Sequence, residues 1–446
     1  MTPRTILGGW GSYPRLETRL AVPGGPSDFG CAITGGEPVL ARGAGRAYGD
    51  AAIGASVTLS TDRLNRMISF DRETGDLTVE AGVRLNDIIE TFAPMGFFPS
   101  VVPGTALVSV GGMVAANVHG KNHHGAGGMG AQVSQITLIG PDGKAIVCSP
   151  TQNEPLFRAT IGGMGLTGVI RDVTFRLRRI ETSYIRQTTI VASSLDAVLA
   201  AFEDHIAATY SVAWIDCTAR GAALGRSLLY LGEHAARDDL PEELRGRPLD
   251  WRPGGTRRLP IDFPSQAMNP LSIKAFNELY FHKGRFASGA ATIPWKPYFF
   301  PLDSIIDWNR AYGRRGFLQH QCVLPKPTAR EALGEILERV SAHASASFVT
   351  VLKVLGDDDA GWLSFPRSGY TLAMDFPASA ANLALLNELD AIVVRHGGRL
   401  YLAKDARQSR ETLEAGYPML AAFRDLRRDT GAASVFRSAM SERLSL

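Results

Sequence analysis

The chain has 446 residues, a net charge of +3, and 45% hydrophobic and 20% charged residues. That length suits about two domains, at roughly 100–200 residues each. The near-balanced charge, with no run of five Lys/Arg, excludes a dedicated nucleic-acid binder. No apolar run approaches the ~18 residues of a membrane span, and the N-terminus lacks the apolar core of a signal peptide. The expectation is a cytoplasmic or membrane-peripheral protein. Cys31, Cys148, Cys217 and Cys322 form no C-x-x-C pair. They read as buried reduced thiols, with neither a disulfide framework nor a metal site.

In chain order, Pro38 to about Ile180 reads as short strands joined by turns. Ser56–Ser60 is strand-like, and Met67–Phe70 with Leu77–Glu80 forms a hairpin. Leu85, Ile88, Ile89 and Phe92 mark one helix face, ending near Gly96. Ile136–Ile139 and Ala145–Cys148 flank a Pro141-Asp-Gly143 turn, and Val169–Leu177 alternates like a half-buried strand. Further on, Ser193 or Ser194 caps a helix carrying Leu195, Val198, Leu199, Phe202 and Ile206. Pro241–Ser288, rich in Pro, Gly and Arg, reads as one long loop near a site. Thr328-Ala-Arg-Glu331 is a capping-box pattern ahead of Leu333, Ile336, Leu337 and Val340. Phe348–Val354 and Tyr370–Phe376 read as strands, and Ala380–Arg395 as a helix closed by His396-Gly-Gly398. Arg399–Ala403 reads as a short strand, with helices from about Arg410. The second half is therefore α+β, with a sheet covered on one side.

Three glycine loops carry the chemical signal. The first is Ala41-Arg-Gly-Ala-Gly-Arg-Ala-Tyr-Gly-Asp50, and the third is Gly162-Gly-Met-Gly-Leu-Thr-Gly168. The second, Pro103–Gly130, holds eight glycines and three histidines in 28 residues. Glycine lets the backbone approach a flat ligand and a pyrophosphate closely, so the three loops argue for a dinucleotide held by loops. Gly163–Gly168 fits G-x-G-x-x-G, but a strand follows it where the dinucleotide fingerprint needs a helix. No phosphate-loop motif is present. His119, His123 and His124 lack an accompanying carboxylate set, which argues against a metal.

Together these loops resemble the flavin domain of vanillyl-alcohol-oxidase-type (PCMH-type) flavoproteins. Within that group the chain is similar to the flavin subunits that oxidise polyprenyl-phosphoryl ribose. Trp308–Gly313, Gly316–Gln321, Ser364-Phe-Pro366 and Gly398–Asp405 extend the resemblance from about Gly8 to Leu446. The resemblance implies an α+β fold: a two-subdomain FAD-binding domain (1–183, completed by 399–446) and an inserted substrate domain with an antiparallel sheet (184–398). It implies oxidation of the ribose 2′-hydroxyl to a ketone, and a separate short-chain NADH-dependent reductase partner that completes epimerisation to the arabinose donor for cell-wall arabinan. It also implies peripheral membrane contact.

Carried over residue by residue, the resemblance puts Arg42, Gly43, Ala44, Gly45, Arg46, Ala47, Tyr48 and Gly49 at the cofactor. From the second loop it adds Pro103, Gly104, Thr105, Val108, Gly111, Gly112, Ala115, Asn117, His119, Gly120, Asn122 and His123. Gly165, Gly168, Val169, Ile170 and Tyr401 complete that set. The backbone N–H groups of Gly43–Gly49 and Gly111–Gly112 are the candidate pyrophosphate cradle. Many relatives bond the flavin covalently through a histidine of the first loop; Arg46 takes that place here, so FAD is expected to be non-covalent. Substrate candidates are Lys121, Gln319, Gln321, Lys353, Thr371, Ala373, Asp375 and Lys404. Lys404, as a cation beside a developing alkoxide, with His119 and Tyr48, forms the catalytic set. Where much of the family has a cysteine trapped by nitro-aromatic inhibitors, this chain has Ala373, which predicts loss of covalent trapping. Two other readings are an aldonolactone or alditol oxidase using oxygen, and a non-catalytic flavin- or sugar-binding protein.

Overall fold

The computed structural model describes residues 3–251, 254–264, 269–343, 347, 349–357 and 360–446. The first sheet contains β1 (Arg4–Gly8), β2 (Arg15–Ala21), β3 (Val39–Arg42) and β4 (Val57–Ser60), in the order β1-β2-β4-β3, with α1 (Pro26–Ile33) between β2 and β3. The second contains β5 (Met67–Phe70), β6 (Asp76–Glu80), β7 (Phe97–Pro99), β8 (Val133–Ile139), β9 (Ala145–Cys148) and β10 (Val169–Arg179). Its order is β5-β6-β10-β8-β9, with β7 also on β10 and every pair antiparallel. Helices α2 (Leu85–Phe92), α3 (Val110–Ala115), α4 (His123–Ala126) and α5 (Glu154–Thr160) lie in its connections. The expected β5–β6 and β8–β9 hairpins form, and Gly96 ends the α2 segment with φ 82°.

The third sheet decides where the site lies. Its strands are β11 (Tyr184–Ala192), β12 (Tyr210–Ile215), β13 (Ser227–His234), β15 (Gly289–Pro294), β17 (Phe317–Leu324), β18 (Thr350–Leu355), β19 (Gly369–Pro377) and β20 (Arg399–Leu400). A separate two-stranded pair joins β14 (Arg257–Arg258) and β16 (Ile305–Ile306). The order β15-β11-β13-β12-β18-β19-β17-β20 is antiparallel throughout. Side chains alternate between its faces. Ala213, Leu229, Leu318, Cys322, Leu352, Leu372 and Met374 pack with α6 (Leu195–Asp204), α10 (Lys326–Ala342) and α11 (Ala380–Arg395) in one buried cluster. Their strand neighbours Trp214, Tyr230, Gln319, Gln321, Lys353 and Ala373 face a cavity instead. The anticipated one-sided covering is present, and Ser194 caps α6 by accepting from Ala197 N–H.

Several local expectations need correction. Pro241–Ser288 contains α7 (Glu242–Arg245) and the 17-residue α8 (Pro270–Phe286), capped by Asn269, which accepts from Leu271 and Ser272 N–H. α8 carries apolar residues on two faces, so no single stripe reveals it. α10 starts at Lys326 behind Pro325 rather than at a capping box; Thr328 Oγ1 instead donates to the His396 carbonyl, 2.9 Å. Arg399–Ala403 is strand only to Leu400, because Lys404 N–H turns back to the Tyr401 carbonyl. Cys31 is exposed while the other three cysteines are buried. Phe348 lies outside the described residues, and β18 begins at Thr350.

After α9 (Trp295–Phe299) and the sheet, the chain ends in α12 (Arg410–Gly416), α13 (Leu420–Asp429), α14 (Ala432–Val435) and α15 (Ala439–Leu444). Arg443 of α15 holds Asp50, next to the first glycine loop, at 2.9 and 3.0 Å, and Asp405 at 2.9 Å. Both carboxylates are almost fully buried. Among the described residues no helix is long and apolar enough to cross a membrane. Arg443→Met strands two buried carboxylates and is expected to cost about 3–5 kcal/mol, read as a lower midpoint in urea unfolding with an unchanged slope.

Candidate active site

A cavity of about 830 Å³ runs between the glycine loops and the open face of the third sheet. At one end β3 delivers the first loop, and Gly45 takes a left-handed conformation (φ 64°). The backbone N–H groups of Gly45, Arg46 and Ala47 donate to no protein acceptor among the described residues. A Cβ on Gly43 would stand 2.0 Å from Ser109 Oγ. Ser109 caps α3 and also accepts from Ala44 N–H at 3.3 Å, which ties the first two loops together. Arg46 lies 4.1 Å over the Trp10 ring, its Nε buried without a partner. Burial pulls its pKa down and Asp303 partly offsets that. Unspent amides beside a buried cation form an anion cradle. Gly111 does not share in it: its N–H donates to the Ala81 carbonyl, 2.8 Å, and Gly112 N–H points at Ser109 Oγ.

At the centre, His119 is buried between Phe365 and Tyr401, each 5.4 Å between ring centroids. Gln321 Nε2 donates to His119 Nε2 at 3.1 Å, and His119 Nδ1 has no partner. Burial, reinforced by Lys353, pushes its pKa well down, so the imidazole is neutral. The Gln321 bond fixes the tautomer with hydrogen on Nδ1. Tyr401 OH donates to the Ala116 carbonyl at 2.9 Å, so its phenol serves the fold.

The sheet face supplies the charge. Register places Gln319 opposite Asp375, Gln321 opposite Ala373, and Lys353 opposite Thr371. Gln319 Nε2 donates to Asp375 Oδ1 at 2.5 Å, while Asp375 Oδ2 is buried without a partner. Burial raises the Asp375 pKa to about 7, against the Gln319 bond and the Lys404 charge. Lys404 Nζ sits 3.6 Å over the Tyr48 ring. Burial lowers its pKa to about 7, with Asp375 opposing and Lys353 reinforcing the shift. Lys353 falls to about 8 through burial. Lys121, 4.1 Å over the Tyr298 ring and donating to the Tyr298 carbonyl, falls to about 7 through burial and Lys353. Three under-solvated lysines, Lys121, Lys353 and Lys404, thus line the cavity, with Asp375 behind Gln319.

Most of the expected residues line this cavity, and eight do not. The Arg42 guanidinium turns away to the carbonyls of Gly8 and Ala52. Gly49 packs on the Asp405 backbone, and Val169 belongs to the core beside β3 and β4. Asn117 braces Ser364 and Gly130, Asn122 donates to the Ser100 carbonyl, and His123 accepts from Gly356 N–H. Thr371 supports Gln321 from behind, and Asp375 acts on the cavity through Gln319 and Lys404. Sequence reasoning missed Trp10, Ser109, Asp303 and the aromatic wall of Trp214, Tyr230, Phe276, Tyr280 and Tyr298. The strand alternation of Trp214 and Tyr230 was the available signal; Trp10 had none.

Fold, cradle and cavity define a flavin-dependent oxidoreductase of the vanillyl-alcohol-oxidase type. Residues 31–149 match the family model for an FAD binding domain. Over 450 residues the chain is 36% identical to the decaprenylphosphoryl-β-D-ribose oxidase of Mycolicibacterium smegmatis, covering 99% of this chain and 97% of that one. It is also 36% identical over 373 residues to an uncharacterised protein of Streptomyces coelicolor, covering 82% of this chain and all of that one (100%). The chain is 30% identical to mouse L-gulonolactone oxidase over 162 residues, 35% of this chain and 36% of that one. The chain belongs to the decaprenylphosphoryl-β-D-ribose oxidase family.

The open amides at Gly45–Ala47, the unpartnered Arg46 Nε and the unpartnered His119 Nδ1 offer donors that fit the anionic and polar atoms of FAD. Gly43→Ala forces Ser109 out of its position, a clash costing about 1–3 kcal/mol. FAD is expected to bind roughly five- to hundredfold more weakly, read as the flavin fluorescence released on dilution.

Proposed function

We propose that the protein oxidises the 2′-hydroxyl of a polyprenyl-phosphoryl-β-D-ribose to the 2′-ketone. In this reading residues 1–183 and 399–446 hold FAD and 184–398 hold the substrate. The observation that carries it is the joint occupation of one cavity wall by Lys121, Lys353 and Lys404 and by an aromatic surface. A free lactone offers no anion for the lysines and no chain for the aromatics. A phosphodiester-linked sugar on a prenyl chain offers both. The relatives named lactone oxidase match about a third of the chain, whereas the decaprenylphosphoryl-ribose oxidase matches nearly all of it.

Bound FAD supplies the two-electron acceptor for the alcohol carbon, and Arg46 in place of a histidine leaves it non-covalent. Lys121 and Lys353 hold the phosphate. Burial lowers both pKa values, and an incoming anion raises them again. Gln319 and Gln321 orient the sugar hydroxyls, with His119 fixed behind Gln321. Lys404, its pKa lowered by burial, accepts the 2′-hydroxyl proton as the neutral amine and becomes the cation beside the oxygen of the forming ketone, with the charge of Asp375 supporting it. Tyr48 holds Lys404 in place through its ring face. A short-chain NADH-dependent reductase reduces the ketone from the opposite face, and the enzyme works in peripheral contact with the membrane that carries its substrate.

The test is the visible spectrum of the purified protein without oxygen. Polyprenyl-phosphoryl ribose is expected to bleach the flavin band and L-gulonolactone is not; the reverse would establish the lactone reading. Acid precipitation is expected to release the flavin entirely. Lys404→Met is expected to lower kcat by about 10²–10³ with flavin content unchanged. The neutral Lys404 amine takes the proton, so kcat is expected to rise with pH as Lys404 loses its own proton. Asp375→Asn removes the charge that raises the Lys404 pKa, so that limb is expected to move to lower pH.

A further inference from the structure

Helix α8 is amphipathic twice over. Its inner face docks Ile273, Asn277 and Phe281: Asn277 donates to Asp216 at 2.9 Å, and Phe281 packs with Trp214 and Leu228. At 100° per residue the opposite face carries Leu271, Ala275, Leu279 and Phe286, with His282, which is held by Glu278, as the one polar residue among them. Leu271 is 80%, Leu279 71% and Phe286 89% exposed. An aqueous helix shows polar residues there, and an apolar stripe of this kind marks a contact surface. Lys283 borders the stripe on one side and Lys274 with Arg285 on the other. All three are exposed and pair with no carboxylate among the described residues. The one acid of the helix, Glu278, is already bound by Arg226 and His282. From the same helix, Phe276 and Tyr280 line the active cavity, as does the exposed Ile305.

The geometry points to α8 as the element that docks the enzyme on an anionic lipid surface, with its outer apolar face in the interface and the prenyl chain of the substrate entering past Phe276. This rests on the sugar-lipid reading above. Charge complementarity selects the occupant. Three unpaired cations edging an apolar stripe match an anionic headgroup layer over an acyl boundary. A second copy meeting this face about a two-fold axis would set like charges against one another. The helix is also continuous with the cavity, so a lipid-borne substrate can reach the site without its chain crossing water.

The test uses the FAD-loaded enzyme and vesicles of phosphatidylcholine with or without phosphatidylglycerol, read by co-sedimentation. Wild type is expected to bind the phosphatidylglycerol vesicles and to release with rising salt. Lys283→Gln/Arg285→Gln removes two cations at about 1 kcal/mol each and is expected to bind roughly thirtyfold more weakly. Leu279→Ser/Phe286→Ser is expected to lose binding while keeping wild-type flavin content. In detergent, its turnover of polyprenyl-phosphoryl ribose is expected to match wild type, falling only with vesicle-borne substrate. Absence of wild-type vesicle binding overturns the proposal. So does a concentration-dependent dimer that Leu279→Ser/Phe286→Ser abolishes, which assigns the face to a second copy. A detergent-solubilised sugar lipid that wild type does not oxidise overturns the activity reading instead, whatever the vesicles show.

Discussion

The site depends on removing water from Lys404, Asp375, Lys353 and Lys121 together. In bulk water a lysine and an aspartate lie more than six pKa units apart. Buried together, Lys404 in the turn after β20 and Asp375 on β19 are pulled toward each other, because burial penalises each charged form from its own side. The fold supplies that withdrawal through strand alternation. Each residue facing the cavity has neighbours locked into a cluster of aliphatic side chains beneath α6, α10 and α11. Moving any of these strands by one residue would bury the lysine and expose the leucines. Core register and active-site chemistry are therefore one constraint.

The same withdrawal has a structural cost. His119 Nδ1 and Arg46 Nε line the cavity and are buried without protein partners, and such atoms are expensive when unsatisfied. A ligand that meets them returns interactions that folding alone leaves unmade, so binding and stability are coupled. The Arg443–Asp50–Asp405 network sits where that coupling is mechanical. It anchors the end of the first glycine loop and the residue after Lys404 to the last helix of the chain.

The elements legible in the sequence were those with one apolar face or one diagnostic turn. The two antiparallel hairpins, the α2 segment stopped at Gly96 and the helix Ala380–Arg395 follow from local pattern and match their observed positions. α8 was not legible, because its apolar residues serve two surfaces and cancel in any one-face reading. The glycine loops announced a cofactor but not the division of labour among their amides. Gly111 and Gly45 look alike in sequence, and only the structure shows the first spent on Ala81 and the second still open. Lys404 and the two glutamines came from motif resemblance and strand alternation. Phe276 and Trp10 came from neither, since they reach the cavity from segments whose path depends on tertiary packing.

In the proposed function this cavity directs oxidation to the 2′-carbon of a lipid-linked pentose. The most direct measurement is to trap the enzymatic product with borodeuteride and locate the label by mass spectrometry. Deuterium at C2 of the pentose, with the phosphodiester and prenyl chain intact, is the predicted result. Deuterium at C1, or an unlabelled sugar lipid beside an oxidised free sugar, would contradict the account.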